Sequence, residues 1–265
     1  MGDVRYVCDV LVVGAGPAGM AAGSRAAESG RRVIVVDDNP AAGGQIWRGE
    51  AKSREAREWF ERIRSVEIQF ETGARVFDQP ATGALLAEVS IGVCEFTYKD
   101  LILATGARER FLPFPGWTLP NVMGAGGLQA LVKTGMSIEG KRIVVAGSGP
   151  LLLAVAAYLR ERGARVLLIA EQASAMRLAR FGLGLFGKTS QALGLQRQLK
   201  GVRYFSGCWP LVAHGSDKLE SVTLFRRGRR LQVACDYLAC GFHLVPNVEL
   251  AELLGCDVDR GVVRV

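Results

Sequence analysis

Two stretches of this chain repeat the same order of apolar and polar positions. In each, a continuous apolar run, residues 10–13 or 143–146, leads into a glycine-rich turn, a segment of small or apolar residues and a second apolar run. Continuous apolar runs are typical of parallel strands that are covered on both faces. The pattern therefore predicts an α/β fold with two strand–turn–helix–strand units in one chain.

The segments outside these units have other periods. Residues 54–64 form a charged amphipathic pattern that predicts an exposed helix, and residues 66–77 and 85–98 alternate as antiparallel strands do. Alternation recurs at residues 221–225 and 231–237, with four arginines clustered between them. We interpret this cluster as a solvated hairpin turn in preference to a nucleic-acid surface, because no aromatic residues are interleaved with it.

The first glycine motif carries the clearest chemistry. Gly14, Gly16 and Gly19 have the G-x-G-x-x-G spacing between an apolar run and a small-residue helix. In this motif the first glycine permits a tight turn, the second lets the backbone approach a pyrophosphate, and the third lets helix and strand pack closely. Asp37 ends the next apolar run, where a carboxylate accepts hydrogen bonds from a ribose diol and repels a 2′-phosphate. Together these features predict a dinucleotide site, which by itself fits FAD or NAD.

The composition fits one large or two modest globular domains. The chain has 265 residues, of which 49% are hydrophobic, and its net charge of +7 is compatible with an anionic ligand. The apolar run near the N terminus is interrupted by glycines and is too short to span a bilayer. We therefore predict a cytoplasmic protein with no transmembrane segment and no nucleic-acid partner.

The cysteines and histidines give no sign of a metal centre or of a redox-active thiol pair. The six cysteines contain no C-x-x-C pair, and His214 and His243 have no cysteines at finger-like spacing. We therefore predict buried structural thiols and no metal site. Disulfide-reductase chemistry, which needs two neighbouring thiols, is not expected. No side chain is nominated as a catalytic acid, base or nucleophile.

Longer sequence strings narrow the choice of cofactor. Residues 43–48 read GGQIWR, residues 104–109 ATGARE, residues 112–117 LPFPGW and residues 124–131 GAGGLQAL. With these strings the chain resembles the class II pyridine nucleotide-disulfide oxidoreductase-like flavoproteins, and within them the α subunits of opine oxidases, hydrogen cyanide synthase and dye-linked proline dehydrogenase. The resemblance covers essentially the whole chain. It implies two Rossmann-like dinucleotide-binding domains of three ββα layers, the second inserted in the first.

The resemblance also implies a division of the chain and a set of flavin-site residues. Residues 1–120 would form the N-terminal segment of an FAD-binding domain, residues 121–240 the inserted NAD(P)-binding-like domain, and residues 241–265 the start of a return segment. The implied FAD-site residues are Gly14, Ala15, Gly16, Pro17, Ala18, Asp37, Asp38, Gly44, Gln45, Val76, Ala104, Thr105 and Gly106. Relatives continue with a segment whose aspartate contacts the flavin, so this chain is expected to be C-terminally truncated and to hold FAD weakly.

The second glycine motif, with the candidate residues Gly147, Gly149 and Pro150, departs from the dinucleotide fingerprint. Leu152 stands where a third glycine or alanine is usual, which would push helix and strand apart or require local repacking. The acid Glu171 comes one residue late, so that in a regular strand it would point to the other face. The sequence therefore favours a vestigial pocket, or one that holds another adenine nucleotide, over one that binds NAD(P)H.

The resemblance implies an FAD-dependent oxidoreductase subunit. Such a subunit would relay electrons from a partner flavoprotein that oxidises an amino acid, opine or amine, and would pass them to a small-molecule acceptor. Two alternatives stay open. One is a self-sufficient NAD(P)H-dependent flavin oxidoreductase, and the other is a nucleotide-binding fragment without turnover.

Overall fold

The computed structural model describes residues 4–47, 54–183, 194 and 197–264. Contacts divide the chain into two units, here called the first unit (Met1–Arg108 and Val245–Val265) and the second unit (Glu109–Leu244). The second unit is therefore inserted into the first along the chain. The division expected from the sequence places these boundaries at residues 120 and 240.

The first unit contains strands from both ends of the chain. Its strands are β1 (Val4–Val7), β2 (Val10–Val13), β3 (Val33–Asp37), β4 (Ile68–Thr72), β5 (Arg75–Ala81), β6 (Ala84–Val89), β7 (Gly92–Thr97), β8 (Asp100–Leu103), β19 (Val258–Asp259) and β20 (Val262–Val263). Its helices are α1 (Pro17–Glu28), α2 (Gly44–Trp47), α3 (Arg54–Arg64) and α7 (Glu249–Leu253). The strands β9 (Ala107–Glu109) and β18 (Leu244–Pro246) pair with each other where the chain passes between the units.

Two sheets and a helical layer form the first unit. A parallel sheet has the strand order β4-β3-β2-β8, and a second sheet has the order β1-β7-β6-β5. Leu11, Ile34 and Phe96 belong to the buried core between the sheets, whereas Val12 and Val35 point to the opposite face of the parallel sheet. Strands β2 and β3 are therefore buried on both faces, which explains their continuous apolar runs.

One prediction about the strands of the first unit is wrong. Residues 66–77 were expected to alternate within an antiparallel pair, but β4 pairs in parallel with β3, and only β5 after it joins an antiparallel sheet. The alternation is present because the edge strand β4 is half exposed. An edge strand of a parallel sheet can thus resemble an antiparallel strand. The predicted helix over residues 54–64 is confirmed by α3.

The second unit repeats this layered plan. Its strands are β10 (Val122–Gly124), β11 (Arg142–Gly147), β12 (Arg165–Glu171), β13 (Arg203–Ser206), β14 (Cys208–His214), β15 (Ser221–Arg226), β16 (Arg229–Ala234) and β17 (Tyr237–Gly241). Its described helices are α4 (Ala125–Lys133), α5 (Leu151–Glu161) and α6 (Ala175–Leu183). The parallel sheet has the order β10-β17-β11-β12-β13, and β14-β15-β16 form an antiparallel sheet. The expected fold class, two three-layer Rossmann-like domains, is confirmed.

The arginine cluster lies at a hairpin, as the alternation predicted. Strands β15 and β16 pair antiparallel, and Arg227 and Gly228 between them have φ angles of 48° and 76°. Two successive residues with positive φ are typical of the tight turn that matches strand twist. None of the helices in the described residues is long and apolar enough to cross a membrane.

Two candidate nucleotide-binding sites

The glycine turn of the first unit leaves no room for side chains at two of its positions. Gly14 has a φ of 108°, and its N–H donates to the carbonyl of Val36 at 2.7 Å. A Cβ on Gly14 would overlap the carbonyl oxygen of Ala104, and a Cβ on Gly19 would overlap the carbonyl oxygen of Gly14. The turn, helix α1 and the end of β8 therefore approach as closely as backbone allows.

Asp37 is fixed at the end of β3 beside this turn. Its side chain is buried, and its Oδ2 accepts the N–H of Ala15 at 2.5 Å. Its Oδ1 accepts the backbone N–H of Asn39 at 2.8 Å and the Asn39 side-chain amide at 2.7 Å. A carboxylate has about four acceptor positions, so one stays available for a further donor such as a ribose hydroxyl.

The backbone around Gly16 leaves space beside the N terminus of α1. The N–H of Gly43 donates to the carbonyl of Ala15 at 2.8 Å, which brings the loop after Asp37 over the turn. A Cβ on Gly16 would meet only the Cα of Gly44, at 3.9 Å, so that this position faces open space and not packed protein. Gly44 itself has a φ of 57°, and its own Cβ would crowd the Cα of Gly16 at 2.8 Å. Both glycines thus keep a cradle open at the N terminus of α1.

Asn247 organises the turn after β8, and sequence reasoning missed it. The hydroxyl of Thr105 donates to the Asn247 carbonyl at 2.7 Å, and the Asn247 side-chain amide donates to the Thr105 carbonyl at 2.8 Å. The Asn247 N–H also donates to the carbonyl of Gly106 at 3.0 Å. Three hydrogen bonds therefore hold Thr105 and Gly106 in place. A Pro-Asn pair after an apolar strand was the available signal.

The other predicted first-unit residues lie at different distances from the turn. Pro17 and Ala18 begin α1, and Ala104 directly follows β8. Asp38 is exposed, and its carboxylate accepts the side-chain amide of Asn39 at 2.8 Å. Gln45 is exposed in α2. Val76 lies in β5 and packs against the core between the two sheets. Arg48, which ends one family string, lies outside the described residues.

The glycine turn of the second unit also depends on positive φ angles and close backbone contacts. Gly147 has a φ of 152°, and a Cβ there would overlap the carbonyl oxygen of Gly241. The Ser148 N–H donates to that same carbonyl at 2.8 Å. Gly149 has a φ of 99°, and no atom lies within 4 Å of the position its Cβ would take. Pro150 follows it, exposed, as the N-cap residue of α5. The turn therefore faces open space as the first one does.

Leu152 is accommodated by local repacking. Its side chain is 1% exposed and belongs to the core on the helical side of the sheet. It lies against Gly241 of β17, where an added Cβ would meet the Leu152 side chain at 3.2 Å. The room that a third glycine on the helix normally provides is thus provided by a glycine on a strand.

A β-bulge in β12 corrects the expectation for Glu171. Between Ile143 and Val144 of β11 the pairing with β12 slips by one residue, which makes Leu167 an extra residue in β12. Such a bulge shifts the rest of the strand by one position. As a result Glu171 lies opposite Gly147.

Glu171 consequently occupies the place that Asp37 has in the first unit. Its side chain is 1% exposed, and its two oxygens accept the N–H groups of Gly149 at 2.9 Å and Ala173 at 2.8 Å. Burial, and after it the charge of Glu171, raises the pKa of the nearby Tyr204 to about 12. The prediction that Glu171 points to the other face is wrong, because it assumed a regular strand.

Two parallel sheets, each with a glycine turn at a helix N terminus and a buried strand-end carboxylate beside it, define a protein of the two-dinucleotide oxidoreductase class. The model of the pyridine nucleotide-disulphide oxidoreductase family matches residues 8–265. The chain belongs to this family. The assignment confirms the predicted family and supports FAD and NAD(P) as its cofactors.

Individual relatives are similar over nearly the whole chain. Hydrogen cyanide synthase subunit HcnB of Pseudomonas protegens is 30% identical over 285 residues, which cover 96% of this chain and 61% of the relative. An opine oxidase subunit of Rhizobium meliloti is 30% identical over 286 residues, which cover 97% of this chain and 54% of the relative. The chain thus spans between half and two thirds of the length of these relatives.

Solved structures share the fold. Thioredoxin reductase of T. acidophilum superposes with a TM-score of 0.72 at 18% identity, over 97% of this chain and 83% of that one. L-proline dehydrogenase of P. horikoshii superposes with a TM-score of 0.64 at 16% identity, over 97% of this chain and 46% of that one.

Proposed function

We propose that this chain is the nucleotide-binding part of an FAD-dependent electron-transfer subunit, and that its partner is a flavoprotein that oxidises an amino acid, opine or amine. The family and its relatives support an FAD-dependent oxidoreductase. The observation that carries the proposal is the first-unit turn, where Gly14, Gly16 and Gly44 leave a cradle beside the buried carboxylate of Asp37.

Each feature of the first unit suits one part of FAD. Asp37 would accept a ribose hydroxyl, and Gly16 with the N terminus of α1 would take the pyrophosphate. The segment Ala104–Gly106, held in place by Asn247, would support the flavin half. The bound flavin would supply the redox chemistry, and the chain would bind and orient it.

The second unit would bind a pyridine nucleotide. Gly147, Gly149 and Pro150 would face the pyrophosphate, and Glu171 would bind the adenosine ribose. Leu152 is packed and the bulge restores Glu171 to the strand end, so neither residue marks the pocket as vestigial. A carboxylate at this position repels a 2′-phosphate, so NADH is the preferred form over NADPH.

The relatives support the assignment of a partner protein, because several of them are named as subunits of enzymes. The matches include subunits of hydrogen cyanide synthase, opine oxidase and sarcosine oxidase. We therefore propose that electrons reach this chain from a second protein chain and leave to a small-molecule acceptor, and that the site of substrate oxidation lies in the partner.

We further propose that the chain has no disulfide-reductase activity. Five of its six cysteines are buried, and all six are free thiols. Burial raises the pKa of the thiols of Cys8 to about 11 and of Cys235 and Cys240 to about 12. Thiols of this kind are poor nucleophiles because so little thiolate is present. A steady-state assay with NADH or NADPH and an aromatic disulfide should therefore show no thiol release above that of free flavin.

Flavin reduction by different donors tests the main proposal. The chain, loaded with FAD and mixed with an amine substrate and its partner flavoprotein, should lose flavin absorbance, whereas the substrate without the partner should leave the absorbance unchanged. Reduction by the substrate in the absence of the partner would contradict the relay.

The geometry of Glu171 also favours a second candidate, the self-sufficient NAD(P)H-dependent flavin oxidoreductase. Rapid stopped-flow bleaching of the bound FAD by NADH, with turnover in the absence of any partner, would support that candidate over the relay. Nucleotide binding without reduction of any dye, with or without the partner, would support a non-catalytic fragment.

A further inference from the structure

Glu109 lies at the N terminus of helix α4 in the second unit. Its two carboxylate oxygens accept the N–H groups of Gly126 at 2.8 Å and Gly127 at 3.1 Å. Both donors belong to the first turn of the helix, whose N–H groups have no partner within the helix. Within the described part of the chain, no ion pair joins Glu109 to a lysine, arginine or histidine. The carboxylate is therefore held in place by backbone N–H groups of the helix.

Two glycines, Gly124 and Gly126, make room for this carboxylate, and a third, Gly241, lies beside it. A Cβ on Gly124 would overlap Oε2 of Glu109, and a Cβ on Gly126 would approach the carboxyl carbon to 3.3 Å. A Cβ on Gly241 would lie 3.9 Å from Oε1. Burial, and after it the charge of Glu109, raises the pKa of Cys240 on the neighbouring strand to about 12. The position of Glu109 is thus specified by the surrounding sequence.

This position lies at the point where the sheet changes direction. From β11 the chain proceeds to β12 and β13 on one side, while β17 and β10 lie on the other. Ligands of open parallel sheets bind outside the carboxyl ends of the strands at such a switch point. Gly147 ends β11 and Gly241 ends β17, and the Ser148 N–H donates to the carbonyl of Gly241 at 2.8 Å. Glu109 therefore borders one side of this crevice and Glu171 the other.

A dinucleotide in the crevice would meet one carboxylate at each end. With its adenosine ribose on Glu171 and its pyrophosphate at Gly149, its remaining half would extend across β17 towards Glu109. The nicotinamide ring is a cation in NAD⁺ and neutral in NADH. A carboxylate near the ring attracts the cation, and partial shielding from water strengthens this attraction.

We propose that Glu109 is a specificity-determining residue that makes the second unit bind NAD⁺ more tightly than NADH. The inference rests on the proposed nucleotide-binding function of the second unit. Tighter binding of the oxidised form makes the bound NADH a stronger electron donor, and it slows the release of NAD⁺. A tenfold affinity ratio lowers the two-electron potential of the bound couple by about 30 mV.

Calorimetric titrations of the full chain with NAD⁺, NADH and ADP-ribose test this proposal. ADP-ribose shares every part of the dinucleotide except the nicotinamide ring. Glu109→Gln, which keeps the shape and removes the charge, should weaken NAD⁺ binding about five- to tenfold, and should change the affinities for NADH and ADP-ribose less than about twofold. Glu161→Gln is the control, an exposed change at the C-terminal end of α5, away from the glycine turn. It should leave all three affinities unaltered.

The outcomes separate this inference from the proposed function. If all three ligands bind but the ratio of NAD⁺ to NADH affinity is the same in Glu109→Gln as in the wild type, the role of Glu109 is refuted. If none of them binds to the wild type, the nucleotide-binding function fails and the role of Glu109 with it. A second measurement needs no variant: the wild-type ratio should shrink between about 0.05 and about 0.5 M salt, because salt screens charges. A constant ratio would overturn the proposal.

Discussion

The two glycine turns reach the same geometry through different residues. In the first unit the close approach of helix and turn depends on Gly19 of α1, whereas in the second unit Leu152 stands at that position and Gly241 of β17 gives way to it. The carboxylates differ too, since Asp37 ends a regular strand and Glu171 ends a bulged one. A turn of this kind is thus defined by the space around it, which a residue on either side of the contact can provide.

Replacing the third glycine of the first-unit motif, Gly19, should cause the largest loss of stability. Gly19→Leu places a side chain where even a Cβ would overlap the carbonyl oxygen of Gly14. Because backbone cannot move aside as a side chain can, we expect a loss of more than about 4 kcal/mol in the free energy of unfolding. Urea unfolding followed by circular dichroism measures it. Ala18→Leu, at the exposed neighbouring position, is the control and should cost little.

Shortening the side chain at the third motif position of the second unit, Leu152, should cause a somewhat smaller loss of stability. Leu152→Ala removes a fully buried side chain and leaves a cavity against Gly241, so a loss of about 2–4 kcal/mol is expected. The same urea titration measures it. Leu151→Ala, the adjacent exposed leucine, should change the stability by less than about 1 kcal/mol. Equal losses for the two leucines would show that Leu152 does not carry the contact.

Most of this fold was predictable from the sequence, because strands buried on both faces leave an unmistakable apolar run. Gly14 and Gly19 were predictable because only glycine tolerates their contacts. Asp37 was predictable because it ends the apolar run that follows them. The position of Glu171 was not, because a bulge at Leu167 has no signature in an apolar strand. The roles of Gly241 and Asn247 depend on contacts between distant segments, which spacing along the chain does not reveal.

Asp37 and Glu171 should each control the binding of a different ligand. Asp37→Asn removes the charge that would bind the ribose of FAD, and we expect FAD affinity to fall by about 1.5–3 kcal/mol, roughly ten- to hundredfold. Glu171→Gln should weaken NADH by a similar factor and leave FAD unchanged. Flavin fluorescence and calorimetry measure the two affinities. Asp217→Asn, an exposed loop change outside both turns, serves as the control. Loss of both ligands in either variant would mean that the acids are structural.

The smallest expected effect on stability concerns two equivalent acids, one in each unit. Each accepts the backbone N–H of a residue at or next to the start of a neighbouring strand. Asp9 accepts the N–H of Arg32 at 3.0 Å and pairs with Lys99 at 2.8 Å, as Asp236 accepts the N–H of Arg142 at 2.7 Å. The bonds from Lys99 and then Arg32 hold the pKa of Asp9 well below its usual range. A lowered folded-state pKa gives stability that is present above the unfolded pKa and is lost as the pH falls through the folded value.

The stability of Asp9→Asn should therefore differ from that of the wild type by a constant amount near neutral pH. The difference should shrink once the pH falls below about 4, the ordinary pKa of an aspartate. Urea unfolding at a series of pH values measures the difference, with Asp217→Asn, an exposed loop change, as the control. A difference that persists unchanged in acid would assign the effect to lost packing.

The distribution of the thiols has a practical consequence. Cys256, between α7 and β19, is exposed, whereas the other five cysteines lie within the cores of their units. A maleimide dye applied to the native protein should therefore attach at one defined location in the returning segment of the chain. The unaltered protein thus already carries an attachment point for a fluorescent or spin reporter, with which binding of the proposed partner protein could be followed in real time.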